Sequence, residues 1–257
     1  MIKRAAVLVV SCGAVLAGCG TDLKSENQEI ISNLLEAGIP ADGVTVVDDA
    51  VYVGRDTQVS LEASRELLQP GPGSAEHYRS SNIVGTAVTM ICINPTAAFN
   101  SYTQLSQALD QAIINYNVLA LHIFFARGPT TGCTANISLQ TMTGSAYSSG
   151  LPSGGLPYNT IKIGTGLASQ SVDVLEHVIT HTIGHTIGLL HTDASNPAIS
   201  CGLGGSGPTD YAGVGGILIP GTSPTATAGG SLMNTCIPLT TDGEFTSSDR
   251  TALNVMY

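Results

Sequence analysis

Apolar residues follow two periods along this chain, a helical one near 3.6 and an alternating one of 2, and the switches between them predict its elements. The stretch near Glu26 to Ala37 and that near Ser60 to Leu68 carry the helical spacing. Between them, Val44-Thr-Val-Val and Ala50-Val-Tyr-Val alternate as two short strands around an Asp48-Asp49 turn. Gln69-Pro-Gly-Pro-Gly-Ser74 has no period and the composition of a linker. Beyond it, Ile83 to Ile93 is β-branched and apolar, the pattern of a buried strand. Thr103 to Val118 puts Leu105, Leu109, Ala112, Ile113 and Tyr116 on one helical face, with Ser101 or Tyr102 near its start. Leu119 to Phe125, Asn136 to Met142 and Ile161 to Ile163 read as strands, the last after a Gly-, Ser- and Pro-rich passage from Gly144 to Pro157. A long helix follows from about Ser171 to Gly188, its apolar side made by Val172, Leu175, Val178, Ile179, Ile183 and Ile187. A strand, a helix, several strands and then a long helix give an α+β order.

The first residues stand outside this pattern. Lys3 and Arg4 precede a short apolar run that ends in Leu16-Ala17-Gly18-Cys19, the form of a bacterial lipoprotein signal. Residues 1–18 are therefore expected to be removed, and Cys19 to be acylated. The expected product is an exported bacterial lipoprotein, held at the outer membrane or cell surface by acyl chains rather than by a spanning helix. Residues 19–75 are expected to form a tether and a small pro-region-like segment, and residues 76–257 the main domain. Removing Lys3 and Arg4 leaves seven of the nine basic residues against nineteen acidic ones. A phosphate backbone requires clustered Lys and Arg, and none cluster here, so nucleic acid is excluded as a partner.

Six cysteines are present, of which Cys12 leaves with the signal and Cys19 takes lipid. Cys92, Cys133, Cys201 and Cys236 remain, and an exported chain is expected to pair them. Of three connectivities, Cys92 with Cys133 and Cys201 with Cys236 is favoured because each pair closes a short loop within one half of the domain.

The candidate chemistry lies at the end of the long helix, in His181-Thr-Ile-Gly-His185-Thr-Ile-Gly188-Leu-Leu-His191-Thr-Asp193. Residues four apart stand on one helical face, so His181 and His185 can direct two imidazoles at one ion. Gly188 can adopt the left-handed conformation that ends a helix, returning His191 as a third ligand. Three imidazoles with an open fourth position for water describe a catalytic type of Zn2+ site. His177, one turn earlier, is expected to be a supporting or surface residue. Downstream, Ser231-Leu-Met233-Asn has the form of a tight turn that sets a polarizable Met beneath the ligands.

These residues resemble the dual-action HEIGH metallopeptidases, a bacterial family of the metzincin clan, whose motif reads His-Glu-Ile-Gly-His followed by Gly-x-x-His-Thr-Asp. The similarity rests on His181, Ile183, Gly184, His185, Gly188, His191, Thr192 and Asp193. It extends to Ala112-Ile-Ile-Asn-Tyr-Asn117, Ile219-Pro-Gly-Thr222 and the segment from Phe245 to Tyr257. The resemblance implies a twisted, mostly parallel sheet with two long helices, a zinc cleft, and an irregular lower part with a Met-turn and a C-terminal helix. It also implies an edge strand near Ser145 to Leu151 that takes an extended peptide or protein segment by strand addition.

One position departs from the motif. Where the family keeps its Glu, this chain has Thr182. In such a site zinc supplies Lewis acidity, and the Glu carries the water proton to the leaving nitrogen. A Thr hydroxyl has no basic form near neutral pH. Asp173 and Glu176 lie too far upstream on the helix to replace it. Two functions follow: a zinc endopeptidase with crippled proton transfer, or a zinc-containing pseudopeptidase that binds a peptide or protein without turnover. A purely structural zinc fits poorly with only three protein ligands.

Overall fold

The computed structural model describes residues 20–68, 78–129, 131–194, 196–202, 206–208, 216–223 and 225–257. The signal, Cys19 and the linker lie outside these residues. The N-terminal part runs α1 (Gly20–Glu36), β1 (Val44–Val47), β2 (Ala50–Val53), β3 (Thr57–Gln58) and α2 (Leu61–Leu67). Next come β4 (Tyr78–Arg79), β5 (Met90–Pro95), α3 (Ala97–Asn100), α4 (Thr103–Asn117), β6 (Phe124–Arg127), β7 (Ala135–Met142), β8 (Tyr147–Gly150) and β9 (Thr160–Gly164). The chain ends with α5 (Val172–Thr186), α6 (Ala198–Cys201), β10 (Ser206–Pro208), β11 (Ile217–Leu218), β12 (Thr225–Thr227) and α7 (Ser247–Met256).

One sheet organises the fold, in the order β1-β2-β3-β8-β9-β7-β5-β6. β5, β6, β7 and β9 pair in parallel, and β8 returns antiparallel to β9. The main strands carry Ile91, Ile93, Phe125, Ile137, Leu139, Ile161 and Ile163 into one core with α4 and α5. Burying each such side chain stabilises by roughly 1.5–3 kcal/mol relative to exposure. Tyr116 of α4 fills the seam between the helices: its ring lies 4.7 Å from Phe125 and 4.9 Å from Phe245, and its hydroxyl donates to Thr180 O at 2.9 Å.

Two strands are shorter than the apolar runs predict. Ile83 to Thr89 is not strand, because Gly85 and Val88 close a turn and Val84 N–H donates to the Tyr257 hydroxyl instead of to a ladder. Leu119 to Ile123 is likewise turn, with Ala120 at φ 54°, and pairing starts at Phe124. Val84, Val88 and Ile123 are buried beyond the ladder ends, so their apolar character marks packing rather than pairing.

The segment ahead of the linker packs α1 and α2 over β2 in a second core of Ile30, Leu34, Val51, Val59, Ala63 and Leu67. Leu151 of the main domain belongs to that core. β3 joins the main sheet directly, pairing in parallel with β8 at Thr57↔Ser149 and Gln58↔Gly150.

α5 starts at Ser171, whose Oγ accepts from Val174 N–H at 3.3 Å, and every residue from Val174 to Thr186 is buried. A helix buried all round holds its side chains at fixed positions. It ends at Gly188, at φ 111°, where an added Cβ would lie 2.7 Å from Asn82 O. α7 is fixed by a capping box in which the Thr246 and Asp249 side chains each accept from the other's backbone N–H.

Candidate metal centre

His181 and His185 project from α5 and His191 from the loop after Gly188, all three buried. Their Nε2 atoms are 3.0 Å apart for His181 and His185, 3.2 Å for His185 and His191, and 3.2 Å for His181 and His191. The tautomers of two are set by the backbone. His181 Nδ1–H donates to Leu232 O at 2.7 Å and His185 Nδ1–H to Leu189 O at 2.7 Å, so each presents its Nε2 lone pair inward.

A fourth donor comes from a part of the chain where sequence reasoning placed none. Asp56, immediately before β3, sets Oδ2 3.0 Å from His181 Nε2 and Oδ1 3.3 Å from His191 Nε2 and 3.6 Å from His185 Nε2. A tetrahedron with bonds of about 2.0–2.1 Å has edges of about 3.3–3.4 Å. The three Nε2 atoms stand 3.0–3.2 Å apart, near that value, and each has an Asp56 oxygen within 3.6 Å, so these four residues could hold a metal ion. The three histidines expected as ligands come together, and Asp56 adds a carboxylate at the position expected to be open. No spacing rule links Asp56 to His181, 125 residues away, or to the histidines beyond it.

The electrostatics agree with this pairing. Burial pushes the Asp56 carboxyl up, but the neighbouring imidazoles of His191, His185 and His181 outweigh it and hold the group well below its usual range. Burial brings His185 down to about 4, partly opposed by Asp56. His191 is opposed by burial but raised overall by Asp56 and Asp193. Tyr147 of β8 stands edge-on to the His181 ring at 5.9 Å, and burial followed by the charge of Asp56 pushes its phenol up.

The other residues singled out from sequence surround this centre. Thr182 is buried, with its Oγ1 3.0 Å from both Val178 O and Ile179 O, the carbonyls to which its hydroxyl can donate. Met233 lies against the helix: a Cβ on Gly184 would fall 2.7 Å from its sulfur. Its carbonyl accepts from Thr192 N–H at 2.8 Å, tying the loop of His191 to this turn. Asp193 Oδ1 accepts from Thr235 N–H at 2.8 Å and the Thr235 hydroxyl at 2.7 Å, and Oδ2 accepts from Ser200 N–H at 3.2 Å. The disulfide Cys201–Cys236 closes the same region, and Cys92–Cys133 joins the main sheet to the start of β7.

His177 stays outside the cluster. Its Nε2–H donates to Leu232 O at 3.1 Å, its Nδ1 accepts from the Thr241 hydroxyl at 2.7 Å, and burial brings it down to about 3. Glu176 turns toward α4, where its Oε1 accepts from Asn115 Nδ2 at 2.7 Å.

Residues 51–257 match the family described as dual-action HEIGH metallopeptidase, well over half of the chain. The chain belongs to the dual-action HEIGH metallopeptidase family. The matched region begins ahead of Asp56 and includes all four candidate ligands of this HEIGH metallopeptidase. Two solved structures of myroilysin are similar to it. One is 13% identical with a TM-score of 0.40, covering 72% of this chain and 99% of that one. The other is 14% identical with a TM-score of 0.39, covering 66% and 95%. A comparison with curated proteins finds no match.

Proposed function

We propose that this protein is a lipid-anchored, zinc-binding member of the metallopeptidase family in which hydrolysis is weak or absent and the cleft serves to hold an extended peptide or protein segment. His181, His185, His191 and Asp56 would hold the ion. When bound, zinc would supply Lewis acidity at the cleft.

The observation that carries this reading is the state of Thr182. At the position next to the first ligand, its hydroxyl is directed to two carbonyls of its own helix, and it has no carboxylate with which to take a proton. Among the described residues, the carboxylate at the imidazoles is Asp56, and its oxygens lie at donor distances from the ring nitrogens. Glu176 is engaged with Asn115 on another side of the helix. General acid–base assistance is worth about 10²–10⁴-fold, and Thr182 stands where the family motif keeps the Glu that supplies it.

The anchoring part rests on Leu16-Ala17-Gly18-Cys19. Among the described residues no helix is long and apolar enough to cross a membrane, so acylation of Cys19 would hold the protein at the outer membrane or cell surface.

The test removes Asp56 from both arms so that it reads Thr182 alone. Zinc-loaded D56A and D56A/T182E chains are assayed on an unfolded protein substrate, with zinc content measured in each. Both are expected to hold one zinc, with hydrolysis about 10²–10⁴-fold faster in the double variant. Rates within tenfold of each other would sink the lost-base reading, and a wild-type chain that takes up no zinc would sink the metal assignment.

A further inference from the structure

We infer that Tyr257 is a positioning residue for the third imidazole: its hydroxyl clamps the turn that leads from α5 to His191, so metal affinity depends on a residue at the far end of α7. This deepens the zinc reading above and rests on it.

The turn has to be held from outside. His181 and His185 are fixed by the helix that carries them, whereas His191 follows it, and the last carbonyls of a helix find no partner within it. Three consecutive carbonyls at this exit are taken by three separate parts of the chain. Thr186 O accepts from Tyr158 N–H at 3.0 Å, Gly188 O accepts from Ser80 N–H at 2.8 Å, and Ile187 O between them accepts from the Tyr257 hydroxyl. The first and last of these donors are backbone groups, so the Tyr257 tie is the one of the three made by a side chain. Beyond it, Leu189 O accepts from His185 Nδ1–H at 2.7 Å, which joins the turn to the second ligand. A shift at Ile187 is therefore passed to His191, whose Nε2 stands 3.2 Å from each of the other two.

Both ends of Tyr257 are held, which gives its hydroxyl a fixed place. The oxygen also accepts from Val84 N–H at 3.1 Å. At the other end, Tyr257 O accepts from His122 N–H at 3.1 Å and from His122 Nδ1–H at 2.9 Å. The ring between them packs on the main core and lies 5.5 Å from the His122 ring. Burial pushes the phenol up, opposed by the Val84 hydrogen bond and Arg79, so the group stays a donor. One oxygen thus serves two backbone groups, and removing it leaves Val84 N–H and Ile187 O without that partner, which costs more than a single solvated bond would.

The experiment uses the full chain, with zinc affinity measured by competition against a chromophoric chelator and ligand geometry read from the visible absorption of the Co2+-loaded protein. Tyr257→Phe keeps the ring and removes the oxygen. It is expected to weaken zinc binding by about 10–100-fold, the range for partners that orient a metal-bound imidazole, and to change the Co2+ spectrum. Tyr116→Phe is the matched control: it removes another buried hydroxyl that donates to α5, at Thr180 O, a carbonyl inside the helix rather than at its exit. That variant is expected to lose Tm but to keep the zinc affinity and Co2+ spectrum of wild type. Equal losses of zinc affinity in the two variants, or wild-type affinity in Tyr257→Phe, overturn the positioning role and leave the zinc reading intact. If Tyr257→Phe does not fold, His122→Ala, at an exposed residue, loosens the carbonyl end alone; it is expected to weaken zinc binding in the same direction, and unchanged affinity there overturns the role. A wild-type chain that takes up neither Co2+ nor zinc overturns both readings.

Discussion

The carboxyl of Glu176 should make this protein lose stability as pH rises through neutrality. Glu176 stands on the helix that carries the imidazoles, is 5% exposed, and accepts from Asn115 Nδ2 at 2.7 Å. Burial pushes its carboxyl up to about 7; the Asn115 hydrogen bond opposes this, and Glu244, Asp173 and Asp242 add to it. In an unfolded chain it would titrate near 4.5. Between those values the folded protein keeps a proton that the unfolded chain releases, so the contribution of this group is greatest below about pH 4.5, falls as pH rises, and is lost above about 7. The separation corresponds to about 3 kcal/mol, or roughly 6–12 °C in Tm for a chain of this length. Glu176→Gln keeps the shape and the acceptor oxygen but cannot ionise. Thermal melts at fixed zinc, at pH 5 and pH 8, should show the variant gaining about that much on wild type between the two values. A difference between variant and wild type that does not change with pH would refute the reasoning.

Other expectations concern the metal and the loops that support it. His185→Ala should abolish the rise in Tm that zinc produces in wild type, which at a free zinc level 100 times Kd is about 2.7 kcal/mol, read by calorimetry with and without chelator. Replacing Cys201 and Cys236 together by serine removes a cross-link between residues 35 apart. The entropy of a loop that size predicts a loss of about 4 kcal/mol, measured by denaturant unfolding. Because the cross-link flanks Asp193, Thr235 and Met233, zinc affinity measured by competition should fall with it.

The local parts of the centre were legible because they depend on spacing within one element. His181 and His185 share a face of a buried helix, and Gly188 takes the positive φ that returns His191, so three imidazoles could be placed by counting residues. The alternating Val44–Val47 and Ala50–Val53 appear as β1 and β2, and the favoured cysteine pairing is the one formed. Strand ends were read less well, since Val84 and Val88 are apolar for packing while the backbone around them bonds to a turn and to Tyr257.

Asp56 marks the limit. The sequence determined the family, an α+β order, three of four candidate ligands and the Thr at position 182, each through a period or a motif that acts over a few residues. The tertiary structure decided that a carboxylate 125 residues ahead of His181 stands within 3.6 Å of all three imidazoles and that Thr57 and Gln58 pair with β8. A two-residue strand has no period of its own. Its place is fixed by the core of α1, α2 and β2 packing on Leu151, a long-range burial that neighbouring residues along the chain do not encode.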